Sequence, residues 1–333
     1  MKPASAAQYE TAKQRLVPPV ELVREGLWSI PFAMPHGHIT YSLGYLFDDF
    51  SGSLHIVDPG WPTEQNWTTL NAVLRSLGRT VDDIATVIAT HLHPDHLGMA
   101  ARIREQSGAA VVLHATEDDA AMKIRSATTR SRDAKVLAAW GVPSERHAEL
   151  GTEGEQEWPT VHLGADVRIE DGDRLPLSGR EVVALLTPGH TAGHVSLQDK
   201  DTGIILTADH IMPRSHGGLG LGGVSATNPL ADYLHSLRRM AEFDDCEVAP
   251  GHEYRFRGLA DRCTSAAEHH LRRTREVLAA LEAHTGATIW DIASSLNWAA
   301  GWEKLRGDYA VLALAQTQMH VDFIRSGAAA SFL

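Results

Sequence analysis

Thr90-His91-Leu92-His93-Pro94-Asp95-His96 sets three imidazoles and a carboxylate within six residues, directly behind a β-branched run. Side chains of these types at this density are metal ligands. The preceding Ile84-Ala-Thr-Val-Ile-Ala-Thr90 reads as a buried strand, because a short apolar β-branched run suits a strand covered on both faces. Thr90 then falls at its carboxyl end. Downstream, Leu97-Gly-Met-Ala-Ala-Arg-Ile-Arg104 carries a helical pattern, and Pro94 stands before it, where a missing N–H is tolerated. The cluster therefore occupies a strand-to-helix loop, the position at which open α/β layers build their sites. A lone histidine reads as a polar residue satisfied by hydrogen bonds; four such side chains at this spacing do not.

The same grammar recurs along the chain. Glu181-Val-Val-Ala-Leu-Leu186 is strand-like and delivers Thr187-Pro-Gly-His-Thr-Ala-Gly-His194, where Pro188 and Gly189 force a turn that presents His190. Gly203-Ile-Ile-Leu-Thr-Ala208 leads into Asp209, and Cys246-Glu-Val-Ala-Pro-Gly251 leads into His252. Chance accounts for one apolar strand ending in a turn residue and a ligand. It does not account for four.

In these motifs, matched in order along residues 20 to 260, the chain resembles the metallo-β-lactamase-fold hydrolase superfamily. The resemblance implies an αββα sandwich. It implies that His91, His93 and His190 hold one metal ion, that Asp95, His96 and His252 hold a second, and that Asp209 bridges the two. Asp95 and Asp209 thereby enter catalysis. Asp58, in Leu54-His-Ile-Val-Asp-Pro-Gly60, matches the family's Val-Asp-x-Gly element, which supports the metal loop without being a ligand. His194 and His210 adjoin ligands outside the ligand positions, and their expected role is to orient neighbours by hydrogen bonds.

Five imidazoles and two carboxylates form a nitrogen and oxygen donor set suited to Zn²⁺, and also to Fe or Mn, with no thiolate in any motif. Paired ions in such sites stand about 3.5–4 Å apart and lower the pKa of a shared water. The implied activity is a two-metal hydrolase whose metal-bridging hydroxide cleaves an ester, lactone, thioester or activated aromatic small molecule. A mononuclear iron dioxygenase of the same fold and a nuclease are the alternatives. Gly251-His-Glu-Tyr254 is similar to the stretch that supplies a substrate-binding tyrosine in glyoxalase-II-type thioesterases, which makes Tyr254 a candidate substrate contact. The basic glutathione-binding residues of that type have no placed counterpart. His36 and His38 fall in the loop that lies beside the metals in this superfamily; they either touch substrate or are exposed loop histidines.

Composition narrows the partners. The 333 residues are 43% apolar, ordinary for a globular enzyme, and no run of 18 apolar residues offers a membrane span. Met1 to Glu10 lacks the apolar core of a secretory signal, so the cytoplasm is the expected compartment. Cys246 and Cys263 are read as packing residues. The net charge of −12 opposes nucleic-acid binding, and the Arg-rich Lys123–Arg132 lacks interleaved aromatics. That stretch is either a solvated helix face or a local anion site. A small-molecule substrate is the expected partner.

Residues 1–25 form an extension, with a helix over Tyr9–Leu16, before a first strand at Leu27–Phe32. Residues 26–262 form the catalytic domain, carrying an insertion over 117–165 with helices at Thr116–Ser126 and Arg132–Trp140. Met122, Trp140 and Trp158 there form either an apolar lid or ordinary packing. Pro213–Val224 is Gly-rich without a P-loop ending and reads as a flexible loop. Asn228–Met240 is an amphipathic helix. Residues 265–333 form a helical module, striped by Leu271, Leu278 and Leu281, with helices starting at Thr288 and spanning Tyr309–Ile324. It resembles the winged-helix-like C-terminal module of one subfamily. Packing or homo-oligomer formation is its expected role.

Overall fold

A computed structural model describes residues 1–35, 37, 39–126, 134–151 and 164–333. The expectations for His36, His38, Trp158, the start of the second insertion helix and most of the Arg-rich stretch lie outside the described residues. With strands numbered in chain order, one sheet runs β2 (Glu21–Arg24), β3 (Leu27–Ala33), β4 (Tyr41–Asp48), β5 (Leu54–Val57), β6 (Ile84–Ile88), β7 (Ala110–His114) and β8 (Val167–Ile169). The other runs β1 (Lys2–Pro3), β13 (Phe256–Arg257), β12 (Glu247–Pro250), β11 (Ile204–Ala208), β10 (Val195–Asp199) and β9 (Val182–Leu186). Strands β5 to β8 are parallel neighbours, as are β11 and β12.

Side-chain alternation along the strands makes the layers. Tyr45, Phe47, Val57, Ile88 and Val112 of the first sheet cluster with Ala184, Val195, Leu197, Ile204 and Leu206 of the second, forming the core between the sheets. The intervening Leu46, Ile56, Val87 and Val111 face the other way, where Leu70 and Leu74 of helix α2 (Glu64–Ser76) and Ile103 of α4 (Ala100–Ser107) cover them. The period of two thus feeds two cores from one sheet. Each fully buried Leu, Ile or Phe contributes about 1.5–3 kcal/mol. The αββα layering follows.

Residues 1–25 do more than extend the chain. They supply β1 and β2, an edge strand for each sheet, and helix α1 (Ala6–Gln14), whose Gln8 is fully buried. Gln8 Nε2 donates to Ser29 Oγ at 3.1 Å, and its Oε1 accepts from Arg255 N at 2.9 Å. Strand β2 escapes the sequence pattern because Glu21-Leu22-Val23-Arg24 is four residues long and buries only Val23.

The sandwich is one compact unit, which holds the described residues of 1–126, 159–225 and 232–266. A second unit holds the described residues of 127–158, 226–231 and 267–333. Its helices include α6 (Ala134–Ala139), α7 (His147–Gly151), the end of α9 (Leu259–Ala283), α10 (Ile289–Ser295) and α11 (Gly307–Arg325). Leu137, Val142 and Leu150 share its core with Val277, Ile292, Leu314 and Val321. Half-buried Trp140 packs into that core too, and its carbonyl accepts from Trp290 N at 2.8 Å. The second insertion helix therefore joins the helical module, because its apolar face finds partners there. Met122 is 43% exposed. No strand occurs among the described residues of this unit, so its likeness to a winged helix rests on helices alone. Thr288 opens α10 with a capping box completed by Asp291. No described helix is long and apolar enough to cross a membrane.

Candidate metal centre

Strand ends from both sheets deliver the candidate ligands. Strand β6 runs into His91–His96, with Pro94 at the first position of the short helix α3 (Pro94–Leu97). Strands β9, β11 and β12 end before His190, Asp209 and His252. Backbone strain sits beside them: Asp58 after β5 has φ +53, and Ala208, beside the β11 bulge, has φ +41, where L residues with a Cβ are disfavoured.

Donor atoms of His91, His93 and His190 lie within 4.8 Å of one another, as do those of Asp95, His96 and His252. Asp209 groups with His91 and His96, one member of each set. Its Oδ1 lies 3.1 Å from His252 Nε2 and 3.3 Å from His96 Nε2, while Oδ2 lies 3.7 Å from His190 Nε2. All are buried except His93, which is half-buried.

Each imidazole is held from behind. His96 Nδ1 donates to Asp58 Oδ2 at 2.9 Å, His252 Nδ1 to Tyr41 O at 2.8 Å and His190 Nδ1 to Gly218 O at 2.7 Å. His93 uses the other nitrogen, Nε2, toward Leu221 O at 3.1 Å. Asp58 also accepts from Thr90 N and Oγ1, both at 2.8 Å, which leaves that hydroxyl oxygen to accept from His91 Nδ1 at 3.1 Å. Fixing one ring nitrogen as a donor turns the lone pair of the other inward, the tautomer that metal binding requires. The inward Nε2 atoms of His96 and His252 and Oδ1 of Asp209 face one another at 3.1–3.3 Å without the geometry of a hydrogen bond. Buried polar atoms without partners are costly, and a cation satisfies all three. The donor set fits a divalent ion.

Electrostatics divides the site. Burial and the neighbouring imidazoles hold His91 well below its ordinary pKa and His190 at about 4, so both are neutral and free to ligate. Burial also opposes charge on His96 and His252, but the carboxylates of Asp209 and Asp95 outweigh it, raising His96 well above normal and His252 to about 10. Against burial, the same two imidazoles lower Asp95 to about 2 and push Asp209 well down. A metal ion would replace those protons, and its binding would release them.

The Gly-rich Pro213–Val224 is not the loose loop its composition predicts. Gly220 N donates to Gly189 O, Leu221 N to His190 O and Ala192 N to Gly222 O, at 2.8–2.9 Å. This loop supplies the carbonyls that orient His93 and His190. A second group missed by sequence reasoning is Glu117, a fully buried carboxylate that accepts from Leu92 N at 2.9 Å and Gly193 N at 2.7 Å. At Gly251 the signal is room: a Cβ would stand 2.6 Å from Asp209 Oδ1 and 2.8 Å from His96 Cε1.

The remaining candidates fall nearby. Asp58 lies behind His96. His194 Nδ1 meets Thr187 Oγ1 at 2.9 Å, and its ring lies 5.1 Å from that of His91. His210 stacks edge-on against Tyr233 and belongs to none of the donor groups. Burial, then neighbouring imidazoles, keep both histidines uncharged. Tyr254 is buried with its ring edge-on to Tyr9 of α1, centroids 5.1 Å apart.

Layering, candidate ligands at strand ends and a two-sided carboxylate match a metallo-β-lactamase-type scaffold. The chain belongs to the metallo-beta-lactamase superfamily, whose pattern matches residues 40–252. It is similar to the Beta-lactamase-like protein 2 homolog of Caenorhabditis elegans, at 23% identity over 86% of this chain and 81% of that protein. It is similar to a Hydroxyacylglutathione hydrolase of Cereibacter sphaeroides, at 22% identity over 67% of this chain and 70% of that one. Among solved structures, the metallo-beta-lactamase family protein TTHA1429 of Thermus thermophilus superposes with a TM-score of 0.71 at 26% identity, covering 92% of this chain and 96% of that one.

Proposed function

We propose that this metal-dependent hydrolase works with two divalent ions, one held by His91, His93 and His190 and the other by Asp95, His96 and His252. Asp209 serves both. The observation that carries the reading is the division of the Asp209 carboxylate, with Oδ1 toward His96 and His252 and Oδ2 toward His190. When bound, paired ions acidify water at neutral pH and polarise a carbonyl. The chain's own part is to orient the imidazoles so that one nitrogen of each faces inward, through Asp58, Tyr41, Gly218 and Leu221, and to keep Asp95 and Asp209 ionised. Zn²⁺ is the ion this nitrogen and oxygen set suits best.

The substrate class is a small-molecule ester, lactone, thioester or activated aromatic compound. A thioester is supported by the hydroxyacylglutathione hydrolase relative. The net charge of −12 argues for a small molecule over nucleic acid. The test is metal analysis of the purified protein together with a screen of lactones, thioesters, aryl esters and phosphodiesters. Two ions per chain and hydrolysis are expected, and Asp209→Ala should abolish turnover while far-ultraviolet circular dichroism stays unchanged. A single iron with oxygen uptake, or full activity in Asp209→Ala, would refute the reading.

A further inference from the structure

The two candidate ligand loops around His93 come from different sheets. His91 and His93 follow β6, whereas His190 lies in the turn between β9 and β10, so the hydrogen-bond ladder of neither sheet fixes the distance between them. Glu117 touches both. It stands in the first turn of α5 (Ala115–Ser126), directly after β7. Its Oε2 accepts from the N–H of Leu92, the residue between His91 and His93; its Oε1 accepts from the N–H of Gly193, three residues past His190. Both donors are backbone groups, so a shift of the carboxylate moves the loops themselves.

The surroundings are shaped to this approach. A Cβ on Gly193 would lie 2.8 Å from His114 Nδ1 and 2.9 Å from Glu117 N, so the residue meeting Glu117 must be glycine. Burial raises the pKa of the Glu117 carboxyl, while the two N–H donors favour its ionised form. Two N–H groups aimed at two oxygens match a carboxylate, which can accept with both; an amide of the same shape accepts with one.

We propose that Glu117 is a positioning residue that clasps the His91/His93 loop to the His190 loop, setting the spacing at which three imidazoles converge on one ion. This rests on the two-ion reading above. It adds a group that touches no metal and decides the affinity for one of them.

The test uses full-length protein loaded with Zn²⁺ and titrated with a chromophoric chelator, comparing wild type, Glu117→Gln and Glu117→Asp, with melting of each metal-stripped protein alongside. Glu117→Gln places an NH₂ against an N–H and should weaken one of the two ions by about 10–100-fold, the usual effect of losing an orienting partner. The other ion should stay near wild-type affinity, and the metal-stripped protein should melt lower only by what one unpaired buried N–H costs. Glu117→Asp keeps the charge but cannot span both loops, so it should show the same selective loss in smaller measure. Wild-type affinity for both ions in both variants overturns the proposal. So does an equal loss of both ions that tracks a fall in metal-stripped stability. Wild-type protein that retains a single ion counts against the two-ion reading instead, and the Glu117 comparison is then read on that ion's affinity.

Discussion

Gly251 shows how little room the site leaves. Its requirement is for space and not for backbone freedom, since its φ is not in the left-handed region while any Cβ would press on Asp209 and His96. Gly108 is the opposite case: φ is +75, and nothing lies within 4 Å of a built Cβ. Gly108→Ala should therefore cost about 1–2 kcal/mol of stability and leave metal content unchanged. Gly251→Ala should lower bound metal and reduce turnover at least tenfold. Plasma emission spectrometry on the two purified variants checks the contrast, and equal metal content in both would sink the account.

Helix α1 bonds to the sandwich through its buried side chain, Gln8. Gln8 saturates Ser29 and the Arg255 N–H in a site without solvent, so Gln8→Leu leaves a buried donor unpaired. The expected loss is about 1–3 kcal/mol, read as a lower urea midpoint at unchanged slope. Neither this helix contact nor strand β2 was legible in the sequence. The contact depends on a residue 247 positions away, and the strand is too short to show a period. The candidate ligands were legible for the converse reason. Each follows an apolar run that specifies a strand by itself, so the chain announces where His91, His190, Asp209 and His252 emerge. The carbonyls of Gly218 and Leu221 carry no side-chain signature. Glu117 reads as an ordinary first-turn acid, favourable at any helix N-terminus.

The helical unit meets acid through a buried histidine. In the helical unit His320 is buried against Thr274, with Nδ1 2.9 Å from Oγ1, and its ring is stacked on His270. Burial first, then Arg273 and His269, lower its pKa to about 3. The unfolded chain takes up a proton at this residue below about 6.5, whereas the folded one does not. The stability this provides is present above pH 6.5 and lost as pH falls toward 3. His320→Gln should flatten that part of the melting profile. An unchanged dependence between pH 6.5 and 3 would show that other groups govern it.

The left-handed backbone at Asp58 and Ala208 has a consequence for adaptation. A Cβ-bearing residue there forgoes about 1–2 kcal/mol, less for an aspartate, and glycine would relieve the strain. At Asp58 that route is closed, because the side chain holds both Thr90 and His96. At Ala208 it is open, but glycine would loosen the peptide that aims Asp209. A lineage selected for heat resistance must find its gains away from these strand exits, in the outer layers of the sandwich.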